Sequence, residues 1–169
     1  MQYKLVYYGN KTLRDKAEDV LDINDEIIEL IKIMQNTMYM ERGIGLAAPQ
    51  VDISKKIIVC DVEMYDGPLL SLINPEIISS SDDKEPFEEG CLSFPGISSD
   101  IYRPSKVLVK GITPDGKEMK IEAEGILARV LQHEIDHLNG VLFIDHLEEY
   151  RRKELTSRLK KIKKLNSKS

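Results

Sequence analysis

His133-Glu134-Ile135-Asp136-His137 is the stretch of this 169-residue chain whose residue types and spacing could do chemistry. Residues four apart share one face of a helix, so two imidazoles can bind one metal ion at roughly 2.0–2.1 Å. Glu134, one step round, then reaches a water on that ion and can take its proton. Chance, or a pH-sensitive histidine pair, would give the same letters. Yet the chain has three histidines in all, and this trio lies on an otherwise core-facing stripe, where it is costly to bury without a partner. The residues point to a metal site.

Two histidines do not complete such a site. A third histidine ten positions after His133, one known arrangement, would fall on Phe143. A downstream acid is the other common solution, with Glu148, Glu149 and Glu154 available, and His146 is a further donor. Cys91 is the better candidate. It sits in Glu88-Glu89-Gly90-Cys91-Leu92-Ser93, where a loop or edge strand could present a thiolate, whereas Cys60 ends the apolar run Ile57-Ile58-Val59 and reads as core.

The elements that must position these groups can be read from periodicity. Ile23, Ile27, Leu30, Ile31, Met34 and Met38 predict a helix of about four turns capped by Asp22 or Asn24. Gly43–Val51 is too rich in glycine, and too interrupted by proline, for either regular element. Runs 55–62, 69–78 and 105–113 read as short strands; Pro114–Lys117 is a turn that pairs the last of them with 118–125 as a hairpin. The two prolines and two glycines of 85–97 demote that stretch from a central strand. A second helix over about 125–139 carries the HEIDH motif and stops at Gly140, and a last helix spans about 147–165. Strands without βαβ alternation, set around a central helix with an N-terminal and a C-terminal helix, give an α+β class. No linker or repeat divides residues 1–169, so one domain is expected.

Composition narrows the setting. With 41% hydrophobic and 31% charged residues the chain is of ordinary globular type, which excludes collagen-like and disordered classes. Two cysteines make no disulfide scaffold, so a reducing compartment is expected. The N-terminus MQYKLVYYGN has no apolar signal region, and no run approaches the roughly 18 apolar residues of a bilayer span. A cytoplasmic location follows as an expectation, without membrane or DNA partners. The net charge of −5 is lopsided: residues 151–169 hold nine Lys/Arg against Glu154 alone, a charge of +8, and the first 150 residues carry −13. A basic end of this kind is either a solvated helix face or a surface for an anionic partner.

Three motifs in order, GIGLAAPQ (Gly43–Gln50), EEGCLS (Glu88–Ser93) and QHEIDH (Gln132–His137), make the chain similar to bacterial peptide deformylase over nearly its whole length. The resemblance implies hydrolysis of the N-terminal formyl group from formyl-methionyl nascent peptides, releasing formate. It implies metal ligands Cys91, His133 and His137 with a water in the fourth position, Glu134 as general base and then acid, and Gln50 with the Leu92 backbone N–H as donors to the oxyanion. Ile44, Leu92, Val130 and part of His133 would line the methionine pocket, and the peptide would add as a strand against Gly45. One divalent ion is implied, iron(II) by family habit, with zinc, nickel or cobalt able to replace it. The basic C-terminal helix would dock on the ribosome. Two rivals stand against this: an endopeptidase with an acidic third ligand, and an RNA-binding protein with a structural metal, which would need a closed four-ligand site.

Overall fold

β2 (Ile57–Cys60) is apolar at every position because both of its faces are covered. Ile57 and Val59 pack under helix α1 (Asp25–Met40) with Ile31, Met34 and Met38, while Ile58 and Cys60 face helix α2 (Gly125–Leu138) with Leu131, Ile135 and Leu138. In the computed structural model, which describes residues 1–63 and 68–167, β2 lies second in a five-stranded antiparallel sheet. The order is β1 (Gly45–Ala47), β2, β3 (Leu70–Ser80), β6 (Lys106–Ile112) and β7 (Glu118–Glu124). A separate ribbon pairs β4 (Lys84–Gly90) with β5 (Ser98–Pro104), Glu89 opposite Ser99. The class is α+β, as the absence of alternation implied.

Several elements differ from the sequence expectation. Gly43–Val51, read as irregular, contains the short edge strand β1 and a 3-10 turn over Ala48–Val51. β5 gave no apolar run because its inward residues alternate as Ile101 and Arg103. The expected single helix over about 147–165 is two, α3 (Glu149–Glu154) and α4 (Thr156–Lys163), joined at Leu155, followed by a 3-10 turn over Lys164–Ser167. Lys168 of the basic end lies outside the described residues.

The termini of the two long helices hold the motifs in place. Asn24 caps α1 by accepting the Ile27 N–H at 3.0 Å. α2 closes on Gly140 at φ +73, with the Gly140 N–H on the His137 carbonyl and the Val141 N–H on that of Asp136. A Cβ there would also lie 2.5 Å from the Arg14 carbonyl, so glycine is required twice over. α1 closes with the same pair of bonds, but the left-handed residue is Arg42. The C-terminal segment is no free tail: Leu159 and Ile162 are buried against Leu13, Phe94 and Phe143.

Candidate metal centre and cleft

α2 aims one stripe of polar residues, Arg129, His133 and His137, at the turn that follows β4. That turn is closed by the Phe94 N–H on the Cys91 carbonyl at 2.9 Å, which points the Cys91 side chain back at the helix. Donor atoms of Cys91, His133 and His137 all lie within 4.8 Å of one another, the group of metal-ligand character among the described residues. Cys91 Sγ is 3.4 Å from His137 Nε2. The other donors read from the sequence are elsewhere: Glu148, Glu149 and Glu154 are exposed on the C-terminal helices, and His146 binds Asp136 at 2.9 Å. Cys60 is core, and burial, with Glu134 and Asp61 nearby, pushes its thiol up to about 12.

The donor set fits a divalent cation. Burial, with cationic His133 and Arg103 nearby, holds His137 well below its usual value, hence as the neutral imidazole that binds metals. Its Nδ1 is one of two buried side-chain atoms with no partner among the described residues; the other is Glu134 Oε1. Burial acts to lower His133, but hydrogen bonds to Cys91 and Glu89 outweigh it and raise it well above the usual range. Without a metal, His133 therefore keeps a proton where a cation would sit. Its Nδ1 is engaged by Glu89 Oε1 at 2.9 Å, leaving Nε2 for the ion. The Phe143 ring stacks on this imidazole at 6.0 Å and fixes its plane.

Glu89 is the functional residue that the sequence did not single out from its neighbour Glu88. It is buried and binds Arg103 through Nε at 2.7 Å and Nη2 at 3.0 Å, and Arg129 Nη1 at 3.0 Å. Arg103 passes the chain on to Asp136 at 2.8 Å, which also accepts from His146. This gives Asp136 and His146, neither assigned a task by sequence, a place in one hydrogen-bonded line from the surface to His133. The available signal was Arg129, one helical turn before His133 on the metal-facing stripe: a buried cation there demands an acid.

A cleft of about 690 Å³ opens onto this centre. His133, Glu134 and Val130 are on its floor, Gly43, Ile44 and Gly45 form one wall, and Glu88–Leu92 the other. His137 is enclosed behind them. Gly45 touches α2 so closely that a Cβ would lie 2.6 Å from Glu134 Oε2 and 2.8 Å from Val130 Cγ1, contacts only glycine avoids. Gln50 is buried with its carboxamide oriented: Oε1 accepts the Ala47 N–H at 3.0 Å, and Nε2 points to Cys91 Sγ at 3.4 Å and Ser93 Oγ at 3.2 Å. Ile44 and Leu92 are half-buried on the cleft walls, and Val130 serves both cleft and core. Burial, the largest cause, lifts the Glu134 carboxyl to about 7 against the opposing charges of His133 and Arg103. A larger hollow of about 1180 Å³ beyond the C-terminal half of α2 holds none of Cys91, His133 and His137, and two of its three lysines, Lys56 and Lys110, are paired with Asp19 and Glu76.

An H-E-x-x-H helix beside a cysteine, opening on a cleft with a buried carboxylate, is the pattern of a metal-dependent hydrolase. The polypeptide deformylase family model matches residues 2–153. A peptide deformylase of Natranaerobius thermophilus is 52% identical over 84% of this chain and 90% of its own, and one of Brachyspira hyodysenteriae 45% identical over 96% and 90%. Among solved structures, a Legionella pneumophila peptide deformylase covers 100% of this chain and 99% of its own with a TM-score of 0.92 at 40% identity. One from Synechococcus elongatus, in complex with actinonin, covers 94% and 86% with a TM-score of 0.88 at 47% identity. The chain belongs to the polypeptide deformylase family. No helix among the described residues is long and apolar enough to cross a membrane.

Proposed function

We propose that Cys91, His133 and His137 hold one divalent cation and that Glu134, Gln50 and Leu92 do the chemistry beside it. The activity is the metal-dependent removal of the formyl group from the N-terminus of newly made polypeptides. The observation that carries the assignment of roles is Glu134: a buried carboxylate with an oxygen unpartnered among the described residues, beside the three clustered donors. A cation held there supplies Lewis acidity to the formyl oxygen and lowers the pKa of a water towards about 7. Glu134 accepts a proton from the attacking water and delivers it to the amine nitrogen as the C–N bond breaks, leaving formate and a free methionyl terminus. Gln50 Nε2, already held in orientation by Ala47, and the Leu92 N–H donate to the oxygen as it becomes negative; one such donor is worth about 2.7–4 kcal/mol of barrier. The edge of β1 at Gly45 receives the peptide backbone, while Ile44, Leu92 and Val130 give the methionine side chain an apolar wall.

Iron(II) is the ion we assign, on the family resemblance alone; one thiolate with two imidazoles is a borderline-soft set that also takes zinc, nickel or cobalt. Protein purified without oxygen is expected to carry about one iron and to release formate from formyl-Met-Ala-Ser; zinc in its place overturns the iron assignment, and an inactive metal-loaded protein overturns the function. Cys91→Ala should lose the ion, whereas alanine at Glu148, Glu149 or Glu154 should keep it. Full retention by Cys91→Ala would restore the acidic-ligand endopeptidase.

The exposed bases of α3, α4 and the turn that follows them, among them Arg151, Arg152, Lys160, Lys161 and Lys164, suit phosphate-rich ribosomal RNA. Deleting the segment would strip Leu159 and Ile162 from the core, so charge is the variable to change. Lys163 is left alone because it covers the Tyr8 ring at 5.3 Å. The triple substitution of Lys160, Lys161 and Lys164 by glutamate should weaken ribosome co-sedimentation at low salt and reduce its salt slope by roughly 2–3, with metal content unchanged. Undiminished co-sedimentation would remove the ribosome from the account.

A further inference from the structure

Arg42 occupies a position where the backbone favours glycine. Its φ is +60, its N–H bonds the Tyr39 carbonyl at 3.0 Å and the Gly43 N–H bonds that of Met38 at 2.9 Å. In this left-handed turn an L side chain crowds the following carbonyl, and at the matching turn of α2 the residue is Gly140. Local packing does not ask for arginine. The side chain is exposed, and its guanidinium has no hydrogen bond or ion pair among the described residues. A strained residue that no local contact explains is a reason to look at what it faces.

It faces the catalytic cleft, whose mouth it lines. Arg42 is three residues ahead of Gly45, the point of closest approach to Glu134, so at most about 10 Å of chain separates the two. A formyl peptide that adds at the free edge of β1 beside Gly45 and runs on towards the mouth therefore carries about its third residue past Arg42. The carboxylates at this mouth already have partners: Glu41 accepts from Gln2 Nε2 at 3.5 Å and Glu88 from Ser98 Oγ at 3.0 Å. The other arginine of the cleft, Arg129, is consumed by Glu89 and by the carbonyls of Ile101 and Glu85. Arg42 is the cation left with a free hydrogen-bonding fork.

We infer that Arg42 is a specificity-determining residue, which binds an acidic side chain at about the third position of the formylated peptide. The inference rests on the deformylase reading above and adds the sequence preference beyond methionine. A rim contact of this kind is a charge-assisted hydrogen bond in water, so its effect is a bias rather than a filter.

The test compares kcat/KM of the metal-loaded enzyme on formyl-Met-Ala-Asp, formyl-Met-Ala-Ser and formyl-Met-Ala-Lys, all amidated so that no terminal carboxylate competes. The aspartyl peptide is expected to exceed the seryl one by about 2- to 5-fold, mostly through KM, and the advantage should shrink at high salt. Arg42→Gly should raise Tm by relieving the turn and abolish the advantage; Arg42→Glu should reverse it in favour of lysine. A purely structural residue would move Tm and leave the Asp-to-Lys ratio alone, and that result overturns the inference. So would a wild-type preference for lysine, which would hand the mouth to Glu41 and Glu88. If no formyl peptide is turned over, the deformylase reading has failed and this inference falls with it; equal rates on all three peptides overturn the role of Arg42 alone.

Discussion

Glu134→Gln should lower turnover of formyl-Met-Ala-Ser by about 10²–10⁴-fold, or roughly 3–5.5 kcal/mol of barrier, while the protein keeps its metal. Metal retention follows from the geometry. The donor group is Cys91, His133 and His137, and Glu134 Oε1 has no hydrogen-bond partner among the described residues. The amide preserves the shape that nestles against Gly45 and removes only the ability to take and return a proton. Elemental analysis beside the rate measurement separates the outcomes: loss of the ion along with activity would make Glu134 a ligand. A second consequence has the opposite sign. Burial raises the Glu134 carboxyl from its ordinary value to about 7 in the folded, metal-free protein. A carboxyl whose pKa rises on folding favours the folded state when protonated, so its ionisation costs stability as pH climbs from about 4.5 to about 7. Metal-stripped Glu134→Gln should thus melt higher than the parent at pH 8, with the difference closing towards pH 4.5. Burial at this position thus gives up stability at neutral pH.

How much of this could be read beforehand depended on whether a feature was local in sequence. The HEIDH spacing, the C′ glycine Gly140 and the hairpin at Pro114–Lys117 are each set within a few residues and appear where the sequence put them, and of the two offered caps, Asp22 and Asn24, Asn24 serves. Cys91 required a choice among five donors that spacing alone left open. Glu89 was illegible for a physical reason: β4 runs Lys-Glu-Pro-Phe-Glu-Glu-Gly, with no apolar alternation to show which glutamate turns inward. Its partners are 14, 40 and 44 positions away, so only the fold brings them together. β5 was hidden by the same pairing, since Arg103 stands on the inward face where an apolar residue would have marked a strand. The break at Leu155 was invisible because Leu147, Leu155, Leu159 and Ile162 keep helical spacing across it, although α3 itself buries no residue. Sequence periodicity reports which face is dry, not which buried charges have found each other.

That makes Glu89 the second position where a single change should have a large effect, this time on stability. Glu89 accepts from Arg103, Arg129 and His133 at once, and Arg103 and Glu89 are each only 4% exposed. Removing one partner of a buried pair leaves a cation without compensation, at a cost of about 3–5 kcal/mol. For a chain of this length, Glu89→Ala should lower Tm by about 6–20 °C. The exposed pair Lys11–Asp15, with side chains 88% and 42% accessible, provides the contrast: Asp15→Ala should move Tm by a degree or two at most. Because Glu89 also holds the His133 ring through Nδ1, metal affinity should fall by about 10–100-fold, an effect that instability elsewhere in the fold would not produce. Acid should act on the same bond. Burial alone would raise Glu89, but the hydrogen bonds from His133 and Arg103 outweigh it and hold the carboxyl down to about 2. Its stabilisation is therefore complete above about pH 4.5 and is lost as pH falls towards 2. The parent should lose Tm steeply across that window and Glu89→Ala should not; parallel acid profiles for the two proteins, with equal metal affinity, would remove Glu89 from the support of the centre.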